Sequence, residues 1–173
     1  MNQELQMILS RRSVKKYEAT PVSQEDLDAI LEAGTYAPSG MGAQSPLLVA
    51  VTNKAVRDEL SALNAAVMGA DMDPFYGAPA VIVVLADRSL PTHVEDGSVV
   101  LENLQLAAHA LGLGSCWVHR AKEVFSSERG QQLLKEWGIE GDYVGVGHCI
   151  VGHPAKVSSA RKARKSDYIH YVR

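Results

Sequence analysis

Apolar positions along the chain recur with a helical period in some segments and run without interruption in others. Leu27, Ile30 and Leu31 follow Ser23, which has Asp26 three positions on, a pattern typical of a capped helix start. On the same kind of spacing, the sequence predicts helices at 2–10, 23–34, 54–68, 92–111 and 121–137. Short apolar runs predict strands at 47–52, 80–86, 114–119 and 143–151.

The order of these elements predicts the fold class. Strands alternate with helices, which is typical of a sheet covered by helices on both faces, a three-layer αβα sandwich. The run 80–86 is apolar on both faces, so we expect it at the centre of the sheet. The 173 residues contain no repeat or linker and are expected to form one domain, residues 1–173.

Composition narrows the class of protein further. The hydrophobic fraction of 46% supports a core, while no apolar run is long enough for a membrane span and the first residues do not resemble a secretion signal. A net charge of −3 argues against a general nucleic-acid binder. Cys116 and Cys149 lie in apolar runs, which predicts buried thiols. We therefore expect a cytoplasmic protein that binds neither membranes nor nucleic acid.

The charge of the chain is sorted by position. Residues 17–155 hold 18 of the 20 Asp and Glu residues. Ten of the 17 Lys and Arg residues form two terminal clusters, one of Arg11, Arg12, Lys15 and Lys16 and one of Lys156, Arg161, Lys162, Arg164, Lys165 and Arg173. If the two ends meet, they form a site for a compact anion such as phosphate, with Ser13 as a neutral donor.

The segment 38–46 is predicted to be a loop, because it contains two glycines and two prolines. Such a loop can bring backbone N–H groups close to a flat partner, and Gln44 could add a side-chain hydrogen bond. An ordinary surface turn is the alternative interpretation. The six histidines show no metal-ligand spacing, so the sequence predicts no metal site.

Several motifs, in order, resemble those of the FMN-dependent nitroreductases. They are RRSVKKY at 11–17, APSGM at 37–41, GAPAVIVVLAD at 77–87, GLGSCWVH at 112–119, and VGHP at 151–154 followed by a basic tail. The resemblance covers about residues 10–165. It implies a nitroreductase-like α/β (α+β) fold: a three-layer αβα sandwich with a central mixed sheet, dimeric with intertwined subunits.

The resemblance also implies an FMN site at a homodimer interface. Asn64 matches the family pattern less closely, and the resemblance implies that it lies at the pyrimidine edge of the isoalloxazine ring. The other implied contacts are Arg11, Arg12, Ser13 and Lys15 at the phosphate and ribityl chain; Lys162 and Arg164 from the tail; Pro38, Ser39 and Gly40, with Met41 and Gln44 beside them, in a loop from the partner subunit; and Cys116, Trp117, Val118 and His119 along the isoalloxazine.

The sequence departs from the family pattern at two places. Gly42 stands where the family commonly has asparagine in the loop, which removes a side chain that would touch the flavin. His119 and Arg120 follow the tryptophan strand, where a glycine or small residue often stands. A cation there could stabilise reduced flavin, attract an acidic substrate, or bind the phosphates of a nicotinamide cofactor.

The function implied by the resemblance is hydride transfer from NADH or NADPH through the flavin to an electron-poor small molecule: a nitroaromatic, a quinone or an activated alkene. His119, Arg120 and Tyr76 are the candidate catalytic residues.

Two alternative functions remain open from the sequence. One is a specialised flavin enzyme of the same family, such as a dehalogenase, a ring oxidase or a flavin-fragmenting enzyme. The other is a flavin-binding or storage protein without turnover.

Overall fold

A computed structural model describes residues 2–157 and 162–173, so Arg161 of the terminal cluster lies outside the described residues. Most of the predicted elements are present with boundaries shifted by one or two residues. In chain order they are α1 (Gln3–Ser10), α2 (Gln24–Thr35), β1 (Pro46–Val51), α3 (Lys54–Met68), β2 (Ala80–Asp87), α4 (His93–Ala110), β3 (Gly114–Val118), α5 (Ala121–Ser126), α6 (Glu128–Glu136) and β4 (Tyr143–Gly152).

The four strands form one sheet in the order β1-β2-β4-β3. β2 lies inside the sheet between β1 and β4, and Ala80 to Ala86 are all buried, which confirms the predicted central strand. The four strands pair antiparallel throughout. Within the described residues, the parallel pairing expected of a mixed sheet is reduced to one bridge between Ser13 and Ser115.

Helices cover both faces of the sheet, which confirms the three-layer arrangement. Side chains of β2 alternate between the two layers: Val83 packs in one core cluster and Ile82 in the other. The first cluster contains Leu60 of α3, Phe125 of α5 and Leu133 of α6. The second contains Ile30 of α2 together with Leu101 and Leu104 of α4.

The two cysteines lie in these two core layers and are free thiols, as predicted. Cys116 packs in the first cluster and Cys149 in the second, so the neighbouring strands β3 and β4 point them to opposite faces. Burial raises the pKa of the Cys149 thiol, which therefore stays protonated at neutral pH. Among the described helices, none combines the length and the apolar character needed to cross a membrane.

The prediction of a single helix over 121–137 is wrong, because this segment forms two helices, α5 and α6, separated at Ser127. Ser127 has extended backbone angles and caps α6 by accepting a hydrogen bond from the Gly130 N–H. The break lets α6 fold back against the end of α5. A Cβ atom on Gly130 would lie 2.0 Å from the Val124 carbonyl oxygen, so this close contact requires glycine.

Gly130→Ala should therefore destabilise the protein by about 2 kcal/mol through overpacking, although alanine favours a helix by about 1 kcal/mol over glycine. Urea denaturation measures the change in the free energy of unfolding. Lys135→Ala, at an exposed position of the same helix, is the control and should change it by less than about 0.5 kcal/mol. A Gly130→Ala protein as stable as the original would contradict this account of the α5–α6 contact.

Candidate functional site

A cavity of about 360 Å³ lies beside the edge strand β3. It brings together residues from the N-terminal segment, the end of α3, the loop before β2, and the strand and turn at 116–120. Many of the predicted site residues are among them. The lining consists of Ser13, Lys15, Met68, Met72, Pro74, Tyr76, Cys116, Trp117, Val118, His119 and Arg120.

The outer edge of β3 supplies backbone groups to this cavity. β3 pairs with β4 on one side, and on the other the Val14 N–H donates to the Ser115 carbonyl at 2.9 Å. Alternation along a strand directs the N–H and C=O of Trp117 to the same outer edge as those of Ser115. Beyond the Ser13 bridge, β3 thus presents a donor and an acceptor to a flat polar ligand.

The N-terminal basic segment divides between the cavity and other contacts. Val14 is buried and packs so closely on β3 that a Cβ atom on Gly114 would lie 2.9 Å from it. Its neighbours Ser13 and Lys15 line the cavity, and the Lys15 ammonium stands 5.6 Å from the centre of the Tyr76 ring. The buried valine thus holds a hydroxyl and a cation at the cavity wall.

Arg11 and Arg12 are directed elsewhere in this structure. The Arg11 guanidinium donates to the Gln105 side chain at 3.4 Å and lies 3.9 Å from the Glu102 carboxylate. The Arg12 guanidinium donates to the backbone carbonyls of Leu9 and Arg11. Of the four N-terminal residues predicted to contact the phosphate and ribityl chain, Ser13 and Lys15 therefore line the cavity, whereas Arg11 and Arg12 do not.

The two ends of the chain do meet, but through backbone groups. The Glu18 N–H donates to the His153 carbonyl, and the Ala155 N–H donates to the Lys16 carbonyl, both within 3.0 Å. Lys162 and Arg164 lie further along the tail, are exposed, and are not among the residues that line the cavity. Within one subunit, the structure thus does not bring these two cations to Ser13 and Lys15.

The loop at 38–46 lies on a different part of the molecule. Asp96 of α4 anchors it by accepting hydrogen bonds from the Gly40 N–H at 2.9 Å and the Ser45 hydroxyl at 2.7 Å. Burial acts to raise the pKa of Asp96, but these hydrogen bonds and one from Thr92 outweigh it and lower the pKa.

The predicted residues of this loop face outward or line a separate, smaller space. Met41 is 86% exposed and, like Gln44, has a positive φ. Pro38 is exposed as well. Ser39 and Gln44 line a space of about 150 Å³, apart from the cavity beside β3.

A second carboxylate, that of Asp73, shapes the loop that carries Tyr76. It accepts hydrogen bonds from the Phe75 N–H at 2.9 Å, the Gly77 N–H at 2.7 Å and the Arg57 guanidinium at 2.7 Å. Burial acts to raise its pKa, but these bonds and one from the Ser61 hydroxyl lower it overall. The resulting turn holds Tyr76 at a φ of 53° at the cavity wall.

Two larger spaces, of about 610 and 580 Å³, lie around Arg57. Each nitrogen of its guanidinium has a partner: Nε donates to the Ala78 carbonyl, Nη1 to Asp58 and Nη2 to Asp73. Because two carboxylates already neutralise this charge, we assign Arg57 to the support of the loop.

Asn64 is the predicted site residue whose position differs most from the expectation. It is fully buried, behind the wall of the cavity. Its Nδ2 donates to the His119 carbonyl at 2.7 Å, and its Oδ1 accepts from the Arg120 Nε at 2.9 Å. The side chain expected at the flavin edge thus holds the turn after β3.

His148 lies behind Asn64, and sequence reasoning missed it. It is fully buried on β4, with Phe75 at 5.2 Å and Phe125 at 6.1 Å between ring centres. Its Nδ1 lies 3.5 Å from the Asn64 Nδ2. Within the described residues, its Nε2 is the one buried side-chain nitrogen or oxygen that lacks a hydrogen-bond partner. Asp73 and Asp96 were also missed. Asp73 precedes turn residues that an acidic side chain can anchor, whereas Asp96 lies in the first turn of α4 and reaches a loop that is distant in the sequence.

The fold and the cavity define a small αβα protein with a candidate ligand site at the open edge of its sheet. A family model for the nitroreductase family matches residues 8–71 and 68–153. The chain therefore belongs to the nitroreductase family.

Individual relatives agree with this assignment. A protein of Archaeoglobus fulgidus, named as an NADH dehydrogenase/NAD(P)H nitroreductase, is 34% identical over 160 residues, which are 89% of this chain and 87% of the relative. The FMN reductase [NAD(P)H] of Bacillus subtilis is 27% identical over 95% of this chain and 70% of its own length. The crystal structure of a nitroreductase with bound FMN from Bacteroides fragilis superimposes with a TM-score of 0.91 at 28% identity, covering all of both chains.

The buried His148 leads to a pH dependence of stability. Burial, together with the nearby charge of Arg120, lowers its pKa from 6.5 to about 4, although hydrogen bonds to the backbone of Val118 and His119 act in the opposite direction. Between these values the unfolded chain binds a proton that the folded protein does not. Stability should therefore fall as the pH drops from about 6.5 to 4, by about 3 kcal/mol from this residue.

Urea denaturation at several pH values between 7 and 4 measures this loss. His148→Leu should show a shallower decrease than the original protein, because the titrating group is gone while the carboxylates common to both proteins remain. His170→Gln, at an exposed position of the tail, is the control and should keep the original slope. An unchanged slope in His148→Leu would contradict the account.

Proposed function

We propose that the chain is an FMN-dependent oxidoreductase that uses NADH or NADPH. The observation that carries the proposal is the cavity beside the open edge of β3, which brings Ser13 and Lys15 together with the strand and turn at 116–120. The relatives support it, since one is named an FMN reductase [NAD(P)H] and a structural neighbour was solved with bound FMN.

The lining of the cavity suits FMN. Met68, Met72, Pro74 and Tyr76 provide an apolar wall on which an aromatic ring can lie. The Trp117 backbone groups offer hydrogen bonds to the polar edge of such a ring, and Lys15 offers a charge to its phosphate. Among the described residues that line the cavity there is no carboxylate to repel that phosphate.

Bound FMN would supply the redox chemistry, taking a hydride from NADH or NADPH at N5 and passing it to an electron-poor acceptor. The protein holds that cofactor and leaves one face open for the two substrates in turn. We propose nitroaromatics, quinones or activated alkenes as the acceptor class. Tyr76, His119 and Arg120 line the cavity and are the residues proposed to position the acceptor or deliver a proton to it.

We further propose that the functional unit is a homodimer with intertwined subunits and that the FMN site lies at the interface. Helix α1 buries none of its residues within one subunit, and Leu5, Ile8 and Leu9 are each about half exposed. The tail leaves four more apolar side chains outside, Tyr168, Ile169, Tyr171 and Val172, which are 68–101% exposed. A second subunit would cover this apolar surface.

The dimer would also account for the predicted residues that lie away from the cavity. The loop at 38–44 is held in a fixed shape by Asp96 on the outer surface, where it can reach a neighbouring subunit. Lys162 and Arg164 precede the apolar end of the tail and would move with it toward the partner. The free buried thiols agree with the reducing cytoplasm proposed as its location.

The FMN site is tested first by the visible spectrum of the purified protein and by titration with FMN. Lys15→Ala should weaken FMN binding about 10- to 100-fold, the loss expected for one hydrogen bond to a charged group. Its neighbour Lys16, which does not line the cavity, gives the matched control Lys16→Ala with nearly unchanged affinity. A protein that shows no flavin bands after addition of FMN would contradict the proposed function.

Anaerobic mixing of the FMN-bound protein with NADH or NADPH tests the reaction. Bleaching of the flavin by either nucleotide, and recovery on adding a quinone or nitroaromatic, is expected. Flavin that neither nucleotide reduces would favour a specialised enzyme of the family. Flavin that even chemical reductant and acceptor cannot cycle would favour a storage protein.

The dimer is tested by light scattering of the protein during gel filtration. We expect about twice the chain mass of 18.7 kDa. Ile8→Asp places a charge on the apolar side of α1 and should produce a monomer with weakened FMN binding. Gln3→Asp adds the same charge at a polar position of the same helix and should remain dimeric. A dimer that persists in Ile8→Asp would show that α1 is not at the interface.

A further inference from the structure

The turn after β3 is held from its core side by a single buried amide. Asn64 is fully buried on α3. Its Nδ2 donates to the His119 carbonyl at 2.7 Å, and its Oδ1 accepts from the Arg120 Nε at 2.9 Å. Because a buried amide must be hydrogen-bonded, these two contacts tie both residues of the turn to α3.

The turn has a conformation that this contact helps to maintain. Arg120 has a φ of 75°, in the left-handed region that residues with a Cβ atom rarely adopt. Such conformations persist where the surroundings fix them, and they concentrate at functional sites. Glycine would adopt these backbone angles without strain. The geometry of the turn therefore does not explain why this position is an arginine, and its side chain needs a separate explanation.

Arg120 lines the cavity, and the terminal nitrogens of its side chain have no partner among the described contacts. Asn64 occupies its Nε, which leaves the terminal Nη1 and Nη2 groups for another partner. Arg120 lines the cavity with Lys15 and His119. None of the ion pairs in the described part of the chain involves Arg120, so a carboxylate does not neutralise its charge there.

We propose, resting on the function proposed above, that Asn64 is a positioning residue that fixes the Arg120 guanidinium beside the ring of bound FMN, where its charge favours the reduced, anionic ring over the oxidised, neutral ring. A nearby positive charge stabilises the negatively charged form of its neighbour. A tethered cation does so without first having to reorient. Asn64 then acts through Arg120 and does not touch the flavin, in contrast to the contact that the family resemblance implies.

A double-mutant cycle on the FMN-bound protein tests this inference. The readout is the midpoint potential of the bound flavin, measured anaerobically against a reference dye. Arg120→Ala should reduce the preference for reduced over oxidised FMN about tenfold, which for a two-electron couple is a shift of about 30 mV to more negative potential. Asn64→Ala should shift it in the same direction. The double variant should shift no further than Arg120→Ala alone, because Asn64 acts through Arg120.

Two further variants keep the test decisive. Lys122→Ala removes a charge at an exposed position of α5 outside the cavity and should leave the potential unchanged. If Asn64→Ala does not fold, Asn64→Ser replaces it in the cycle, since its hydroxyl is too short to hold both partners.

Additive shifts, or an unchanged potential in the folded Asn64 variant, would overturn the inference and leave the proposed function intact. If the protein without substitutions binds no FMN, both the inference about Asn64 and the proposed function are contradicted. A potential that becomes more positive in Arg120→Ala would show that the guanidinium does not favour the reduced cofactor.

Discussion

The unpaired outer edge of β3 is the constraint around which the site is built. A sheet edge exposes N–H and C=O groups that require partners, and proteins cover such edges or use them for binding. Here the N-terminal segment covers the beginning of the edge through the Val14 N–H and the Ser115 carbonyl. The remainder, at Trp117 and the turn that follows, opens into the cavity. The covering segment therefore also sets where the ligand site begins, and it brings Lys15 to that point.

Three polar side chains fix the three irregular segments that matter for the site, Asp96 and Asn64 from buried positions and Asp73 from a partly exposed one. Asp96 holds the loop at 38–46, Asp73 holds the loop that carries Tyr76, and Asn64 holds the turn at Arg120. Each forms hydrogen bonds with backbone or side-chain groups of its segment, and these bonds hold the segment in one shape. The cavity wall thus depends on groups that never face a ligand, and rigid support of this kind is what a precisely placed cofactor requires.

Much of the fold could be predicted from periodicity, because burial repeats along each strand and helix. The central position of β2 followed from its run of apolar residues. Local pattern could not predict the break at Ser127, since Gly130 matters there for a contact with the end of α5. The antiparallel pairing of the strands could not be predicted from the hydrophobic pattern either, because it depends on which strands become neighbours. The contacts of Asn64 with His119 and Arg120 could not be predicted either, because its sequence position says nothing about which way its amide points.

The sorting of charge along the chain has a physical explanation in the ion pairs. Of the cations in the acidic middle, Lys54, Arg57, Arg88 and Arg129 each contact a carboxylate. Paired charges of this kind add little stability at the surface, and the carboxylates neutralise these four cations. Lys15, by contrast, meets only an aromatic ring among its described contacts, and Arg120 meets a neutral amide. At the cavity, the charges of Lys15 and Arg120 therefore remain available for an anion, although one comes from the basic N-terminal cluster and the other from the acidic middle of the chain.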